Sequence, residues 1–313
     1  VGEVIHVLCL NPTIDRMYYI DHFRKGAQFH GNHPDIIPGG KGVNVARILS
    51  ELGDACEFYA FVGGGNGNLI KQEIDDLHIV SHYFPHEGET RCTINIIDHA
   101  AGEETELTED GEKVSPVQQK EFLDKLESRL SPDDLVVCSG LPMYGMDGNI
   151  YQQVAVIATN HHARCAVDAN RQYLKGSFPA PFMLAKPNKE ELASLFDVKG
   201  ALTEQDVVGL ASKLREKGAE HVLVSLGSNG AIFVSAQGAF RVHVPKVSVV
   251  STIGSGDASV AGFCHAMMGG ASPIEAIKFS MACGVANTLT AKVGHLHKSD
   301  LEWILPRISV EAL

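Results

Sequence analysis

Thr252-Ile253-Gly254-Ser255-Gly256-Asp257-Ala258-Ser259-Val260-Ala261-Gly262 is the stretch from which the rest of the chain can be read. It follows a β-like run, residues 247–250, and leads into a helical pattern that ends near Met268. The stretch therefore marks a strand–turn–helix unit. Gly254 and Gly256 permit a tight turn. The amides of Gly254 and Gly256 then point out of a helix N-terminus, where an anion is favoured. Asp257 falls in the first helical turn beside that amide pocket. A carboxylate there cannot itself bind a phosphate, because like charges repel. It can accept a proton from a hydroxyl that attacks phosphorus. The plainer alternative is a glycine-rich turn with an ordinary capping aspartate.

Most of the chain repeats this unit. Runs at 4–10, 135–138, 164–168, 182–185 and 221–226 read as buried strands. Helical patterns lie between and after them. In 42–52, Val43, Ala46, Leu49 and Leu52 form one apolar stripe that Gly53 ends. In 115–130, Ser then Pro opens a run in which Phe122, Leu126 and Leu130 recur every four residues. Residues 203–218 and 272–291 have similar form. The fold class is α/β, with a mostly parallel sheet flanked by helices. A second texture is half-buried strand. In 90–98, Cys92, Ile94 and Ile96 share one face, and Arg91, Thr93 and Asn95 share the other. With 16–20 and 35–37, this predicts a small β-rich flap built from about 12–38 and 88–108 and inserted into a single domain spanning 1–313.

At 313 residues the chain suits one large domain with an appendage. Lys and Arg total 26 against 38 Asp and Glu, a formal charge of -12, which is the wrong balance for nucleic-acid binding. Any anionic substrate must be held by a local group of donors. The apolar run at 4–10 is too short for a bilayer, and no basic leader with a small-residue cleavage site is present, so no membrane association is expected. Seven scattered cysteines, never spaced C-x-x-C, fit a reduced, cytoplasmic setting.

Other segments can carry chemistry. Pro38-Gly39-Gly40-Lys41-Gly42-Val43-Asn44 is a second glycine-rich helix start, with a cation and an amide added. It could hold a sugar's hydroxyls or its phosphate, or be a flexible turn. No Walker A sequence occurs, and no G-x-G-x-x-G follows the first strand, which argues against a dinucleotide dehydrogenase. Asn11-Pro12-Thr13-Ile14-Asp15 ends the first strand, where α/β ligands bind; Asp15 either accepts sugar hydroxyls or caps a turn. Arg91 either serves the site or is a solvated surface residue. In Lys186-Pro187-Asn188-Lys189-Glu190-Glu191, Asn188 and Glu191 could orient waters on Mg²⁺, yet Asn with Glu three later is also a capping pattern. Ser225-Leu226-Gly227-Ser228-Asn229-Gly230 reads as a turn. The histidines have no metal spacing.

Taken in order, NPTID, PGGKGVNVARIL, GETR, KPNKEEL, VSLGSNG and GSGDASVAG resemble the ribokinase-like (PfkB) carbohydrate kinases over essentially the whole chain. The NPTID opening, Lys41 and Gly88-Glu89-Thr90-Arg91 look most like the branch that phosphorylates ketohexose phosphates: fructose 1-phosphate or tagatose 6-phosphate. The resemblance implies an α/β core with a β-sheet lid, ATP as donor, Mg²⁺ as cation and a homodimer formed through the lid. It implies Asp257 as catalytic base and Gly254, Ser255 and Gly256 as anion hole. Asp15, Gly39, Gly40 and Asn44 would contact sugar hydroxyls, and Lys41 and Arg91 would hold the phosphate already on the sugar. Lys186, Asn188 and Glu191 would serve the triphosphate and Mg²⁺. Ser225, Gly227 and Gly230 would form the nucleotide loop, with Asn287 near the adenine.

Three departures bear on substrate. Cys138-Ser139-Gly140-Leu141-Pro142 replaces the usual S-G-S-L-P, putting a substrate contact in question. Ser251-Thr252 replaces an Asp-Thr, so potassium activation through that aspartate is not expected. Asp168-Ala169-Asn170-Arg171 looks like kinases of unphosphorylated sugars. A kinase of a free sugar or nucleoside is thus an alternative, and a catalytically silent sugar-phosphate or nucleotide sensor is another.

Overall fold

The computed structural model describes residues 3–31 and 33–313. β1 (Ile5–Leu8) feeds β2 (Thr13–Tyr19) and β3 (Asp35–Gly39), followed by α1 (Lys41–Leu52), β4 (Cys56–Val62), α2 (Gly64–Asp76) and β5 (Val80–Pro85). β6 (Cys92–Asp98) and β7 (Glu103–Thr108) make a second excursion. Then α3 (Pro116–Glu127), β8 (Leu135–Gly140), α4 (Ile150–Asn160), β9 (Arg164–Ala169), α5 (Arg171–Ser177) and β10 (Phe182–Ala185) alternate. They lead through α6 (Lys189–Leu195) and α7 (Glu204–Glu216) into β11 (Ala219–Ser225). β12 (Ala231–Ser235), β13 (Gly238–His243), α8 (Ser255–Met268), α9 (Pro273–Asn287), α10 (Lys298–Ile304) and β14 (Ser309–Ala312) complete the chain.

Among the described residues, ten strands form one sheet in the order β14-β13-β12-β11-β10-β9-β8-β1-β4-β5. Pairing is parallel from β11 to β5 and antiparallel at the β12–β14 edge. β1 adds β4 on one side and β8 on the other, so the order reverses beside it and a crevice opens at the strands' carboxyl ends. Alternate strand residues bury on opposite faces: Val137 packs in the layer beneath α1, α8 and α9, and Val136 in the layer beneath α3, α4 and α7. Helix starts follow the capping logic of the sequence. Ser115 and Gln118 cap α3, Ser272 and Glu275 cap α9, and Pro stands at the first position of each helix.

A second sheet, β3-β2-β6-β7, lies over the crevice. Its register puts Asp15, Thr93 and Thr108 in one row and Met17, Asn95 and Glu106 in the next, all facing the cleft. Arg16, Ile36, Ile94 and Leu107 form a row on the opposite face. One expectation fails: 247–250 is not a strand. Its β-branched residues find no sheet edge. Val249 and Val250 are exposed, and the Val250 amide donates to Thr288 O, so the segment is an irregular wall of the cleft. No helix among the described residues is long and apolar enough to cross a membrane.

Candidate active site

α8 starts at Gly254, whose φ of 81° lies in the left-handed region, and no side chain caps the helix. Asp257 is 6% exposed, and its Oδ2 accepts a 2.8 Å hydrogen bond from Asn44 Nδ2. Burial pushes the Asp257 carboxyl up to about 6; the Lys41 charge opposes this and Asp168 reinforces it. The Asn44 amide has its orientation set by Arg47. A guanidinium only donates, and Arg47 Nη1 donates to Asn44 Oδ1 at 3.2 Å, which leaves the amide nitrogen for Asp257. Arg47 is 2% exposed; it also donates to Pro38 O and Val293 O and pairs with Glu73. The sequence reading missed Arg47, although an arginine within an apolar helical stripe was a visible signal.

Two lysines share Asp168. Lys41 Nζ donates to Asp168 Oδ1 at 3.0 Å, and Lys186 Nζ lies 3.3 Å from Oδ2. Asp168 is 1% exposed at the end of β9. Burial alone would raise its pKa, but Lys186 and Lys41 bring it below the ordinary value. Burial likewise pulls the Lys41 ammonium down, and Asp168, Asp257 and Glu191 outweigh it, so its pKa is raised. Lys186 reaches the α8 start: its Nζ would lie 3.2 Å from a Cβ at Gly256. Asp168 thus serves as counter-ion to two lysines, and the Arg171 side chain lies outside the described residues. Ser139, from the divergent Cys-Ser-Gly-Leu-Pro run, lines the cleft with a buried Oγ that has no hydrogen-bond partner. The contact put in question by the Cys-Ser-Gly-Leu-Pro run is that of a serine which Gly140 replaces or which is deleted here; Ser139 presents a different hydroxyl, placed by β8.

On the small-sheet side, a Cβ at Gly39 would come 2.3 Å from Asp15 Oδ2, so only glycine lets that carboxylate settle there. Burial pushes Asp15 up to about 6, with Arg91 opposing and Glu106 adding. Gly40 precedes α1 and lines the cleft. Arg91 is half-buried in the cleft, not solvated on the surface; Nε donates to Asn11 O and Nη1 to Glu109 O, each at 3.2 Å.

On the opposite wall, Asn188 and Glu191 form the capping box of α6: Glu191 N donates to Asn188 Oδ1 and Asn188 N to Glu191 Oε2, both at 2.8 Å. Both still line the cleft, as do Ser225, Gly227 and Gly230. Asn287, expected near the adenine, sits behind neighbours that line the cleft, Val285 and Thr288. It is 1% exposed and is not among the cleft-lining residues. Its Nδ2 donates to Ile253 O and its Oδ1 accepts from Gly294 N. Its amide braces the backbone behind Gly254 and is not presented to a ligand.

The cleft, about 1340 Å³, thus joins an amide-rich helix start, a buried carboxyl of raised pKa, three lysines, of which Lys41 and Lys186 share Asp168, one arginine and a polar sheet face. That is equipment for handling a phosphate and a hydroxyl together. The chain belongs to the pfkB family of carbohydrate kinases, whose model it matches over residues 7–298. It is similar to the 1-phosphofructokinase of Bacillus subtilis (strain 168), 30% identical over 312 residues that cover 99% of this chain and all of that one. It is similar also to a tagatose-6-phosphate kinase of Staphylococcus epidermidis, 30% identical over 310 residues, covering 98% and 99%. Escherichia coli phosphofructokinase-2 in complex with fructose-6-phosphate has the same fold, with a TM-score of 0.88 at 24% identity, covering 98% and 99%.

Proposed function

We propose that this kinase transfers the γ-phosphoryl group of ATP to a hydroxyl of a ketohexose phosphate, giving fructose 1,6-bisphosphate from fructose 1-phosphate or tagatose 1,6-bisphosphate from tagatose 6-phosphate. The observation that carries the reading is Asp257, buried beside the α8 amides and bonded to Asn44. The substrate class is supported by Arg91 in the cleft and by the two relatives' names. In this reading Asp257 takes the proton of the attacking hydroxyl as its oxygen bonds to the γ-phosphorus, and ADP leaves with the bonding pair. The Gly254, Ser255 and Gly256 amides, with Lys41 and Lys186, stabilise charge on the transferring oxygens. Asp15, Gly39, Gly40 and Asn44 hold sugar hydroxyls, while Ser225, Gly227 and Gly230 line the nucleotide end. Mg²⁺ would neutralise the triphosphate. Among the described residues no three His, Cys, Asp or Glu side chains are grouped to hold a metal ion, and Asn188 and Glu191 on the cleft wall would orient the waters of Mg²⁺. The small sheet closes as a lid and excludes water.

Ser139→Ala should raise the KM for the phosphosugar about tenfold, the weight of one hydrogen bond to a charged group, with an unchanged melting temperature because its Oγ has no protein partner. The lid's outer face, with exposed Ile36 and Leu107 and the buried, unpartnered Arg16 Nε, is assigned to a second copy of this chain. Leu107→Asp should shift the sedimenting species from dimer to monomer; a wild-type monomer at micromolar concentration would rule the dimer out. The activity itself is tested by ADP release with Mg²⁺ and ATP on fructose 1-phosphate, fructose 6-phosphate, tagatose 6-phosphate, fructose and ribose. Turnover confined to free sugars would refute the phosphosugar assignment.

A further inference from the structure

α2 begins without a cap of its own. Gly63 precedes it, Gly64-Gly65-Asn66-Gly67 opens it, and its first turn holds no acid. The cap comes from a distant segment. Glu89 Oε1 accepts from Gly65 N at 3.0 Å and Oε2 from Asn66 N at 2.9 Å. Gly64 has φ 61°, and a Cβ on it would fall 2.2 Å from the Glu89 carboxylate, so the glycine run makes the seat. Thr90 docks beside it: its Oγ1 accepts from Gly63 N, its amide donates to Gly63 O, and its carbonyl accepts from Asn66 Nδ2, each at 2.9 Å. The next residue is Arg91, already in the cleft, and β6 follows at once with Thr93 and Asn95 facing the same space.

We propose that Glu89 is a positioning residue for phosphosugar recognition: by capping α2 of the main body it fixes the backbone from which Arg91 reaches the cleft. The proposal rests on the reading of Arg91 as the group that holds the sugar's own phosphate. A carboxylate at a helix N-terminus is favoured by the dipole and by charge-assisted bonds to free amides. Those two amides hold the Glu89 carboxyl below the usual carboxylate range. Among the described residues the Arg91 guanidinium donates to two backbone carbonyls at 3.2 Å, and its own carbonyl accepts from Ile14 N at 2.9 Å, so its placement depends on β2 on one side and on the anchored residues 89 and 90 on the other. Without the carboxylate, the segment keeps Thr90 and the Ile14 N–Arg91 O bond but loses its two contacts to the α2 start, and the guanidinium is less well fixed relative to Asp257. Glu89 is exposed at the surface, so its removal opens no core.

The test is a double-mutant cycle on the full-length kinase, reading KM and kcat for the preferred phosphosugar and KM for ATP. Glu89→Ala should raise the phosphosugar KM about tenfold, a coupling of ordinary size for residues acting through one another. kcat and the ATP KM should hold, and the melting temperature should fall by no more than the loss of one exposed helix cap. Glu89→Gln, which keeps one acceptor oxygen, should fall between. In an Arg91→Ala background Glu89→Ala should have no further effect. Additive losses, or a native KM for Glu89→Ala when Arg91→Ala is impaired, would overturn the positioning role and spare the Arg91 reading. A native KM for Arg91→Ala would overturn both.

Discussion

Asp257→Asn should lower kcat by at least about two orders of magnitude, the usual weight of a general base, with ATP affinity kept within about twofold. The substitution is nearly isosteric, and its carboxamide oxygen can still accept from Asn44 Nδ2, so the anion hole keeps its shape. What it lacks is a site for the proton. Single-turnover assays with the phosphosugar, beside ATP titrations, separate the two quantities. With Asp257 pushed up to about 6, wild-type kcat/KM should fall with unit slope as pH drops below about 6. The stability effect has the opposite sign. A carboxyl whose folded pKa is raised favours the folded state while protonated, below its unfolded value, and loses that contribution as pH rises through about 6. Asp257→Asn should therefore melt at or above the wild-type temperature at pH 8, the difference vanishing near pH 3. A variant that retains near-native kcat removes Asp257 from the proton-transfer role.

The parts of the site legible in the sequence are those whose chemistry is local. The 254–257 block declares itself because glycine, amide and carboxylate lie within four residues, and α8 begins where the pattern puts it. The strand periodicity of 90–98 likewise separates Thr93 and Asn95, which face the cleft, from Ile94 and Ile96. What the pattern hides depends on distant partners. Asn287 is spent on Ile253 and Gly294, and nothing in its neighbourhood announces that pairing. Residues 247–250 have strand propensity and no sheet edge to satisfy it, because β13 ends at His243. Asn188 and Glu191 are equally good as cap and as water ligands. The cap is formed within one helix turn, and the second role waits on a ligand.

Lys41 and Arg91 are the pair on which substrate identity turns, and the geometry divides them. The resemblance assigns both to the phosphate already on the sugar. Yet Lys41 Nζ is bound to Asp168, the counter-ion it shares with Lys186, and its charge acts on Asp257, while Arg91 bonds Asn11 and Glu109 carbonyls at the small sheet. Lys41→Met should therefore lower kcat about a hundredfold, as loss of one donor to a developing oxyanion does. It should do so for every sugar accepted. Its charge also holds the Asp257 pKa down, so removing it should move the acid limb of kcat/KM to higher pH. Arg91→Ala should instead raise the phosphosugar KM between about tenfold and a hundredfold, the cost of a lost hydrogen bond to a charged group. It should leave the acid limb nearly in place, because the main influences on the Asp257 carboxyl are burial, Lys41, Asp168, Asn44 and Lys186. Equal KM losses with an unmoved acid limb in both variants would return Lys41 to the sugar's phosphate. The two outcomes differ because a cation on the transferring phosphoryl is felt most in the transition state, whereas one on the resident phosphate binds ground and transition states alike.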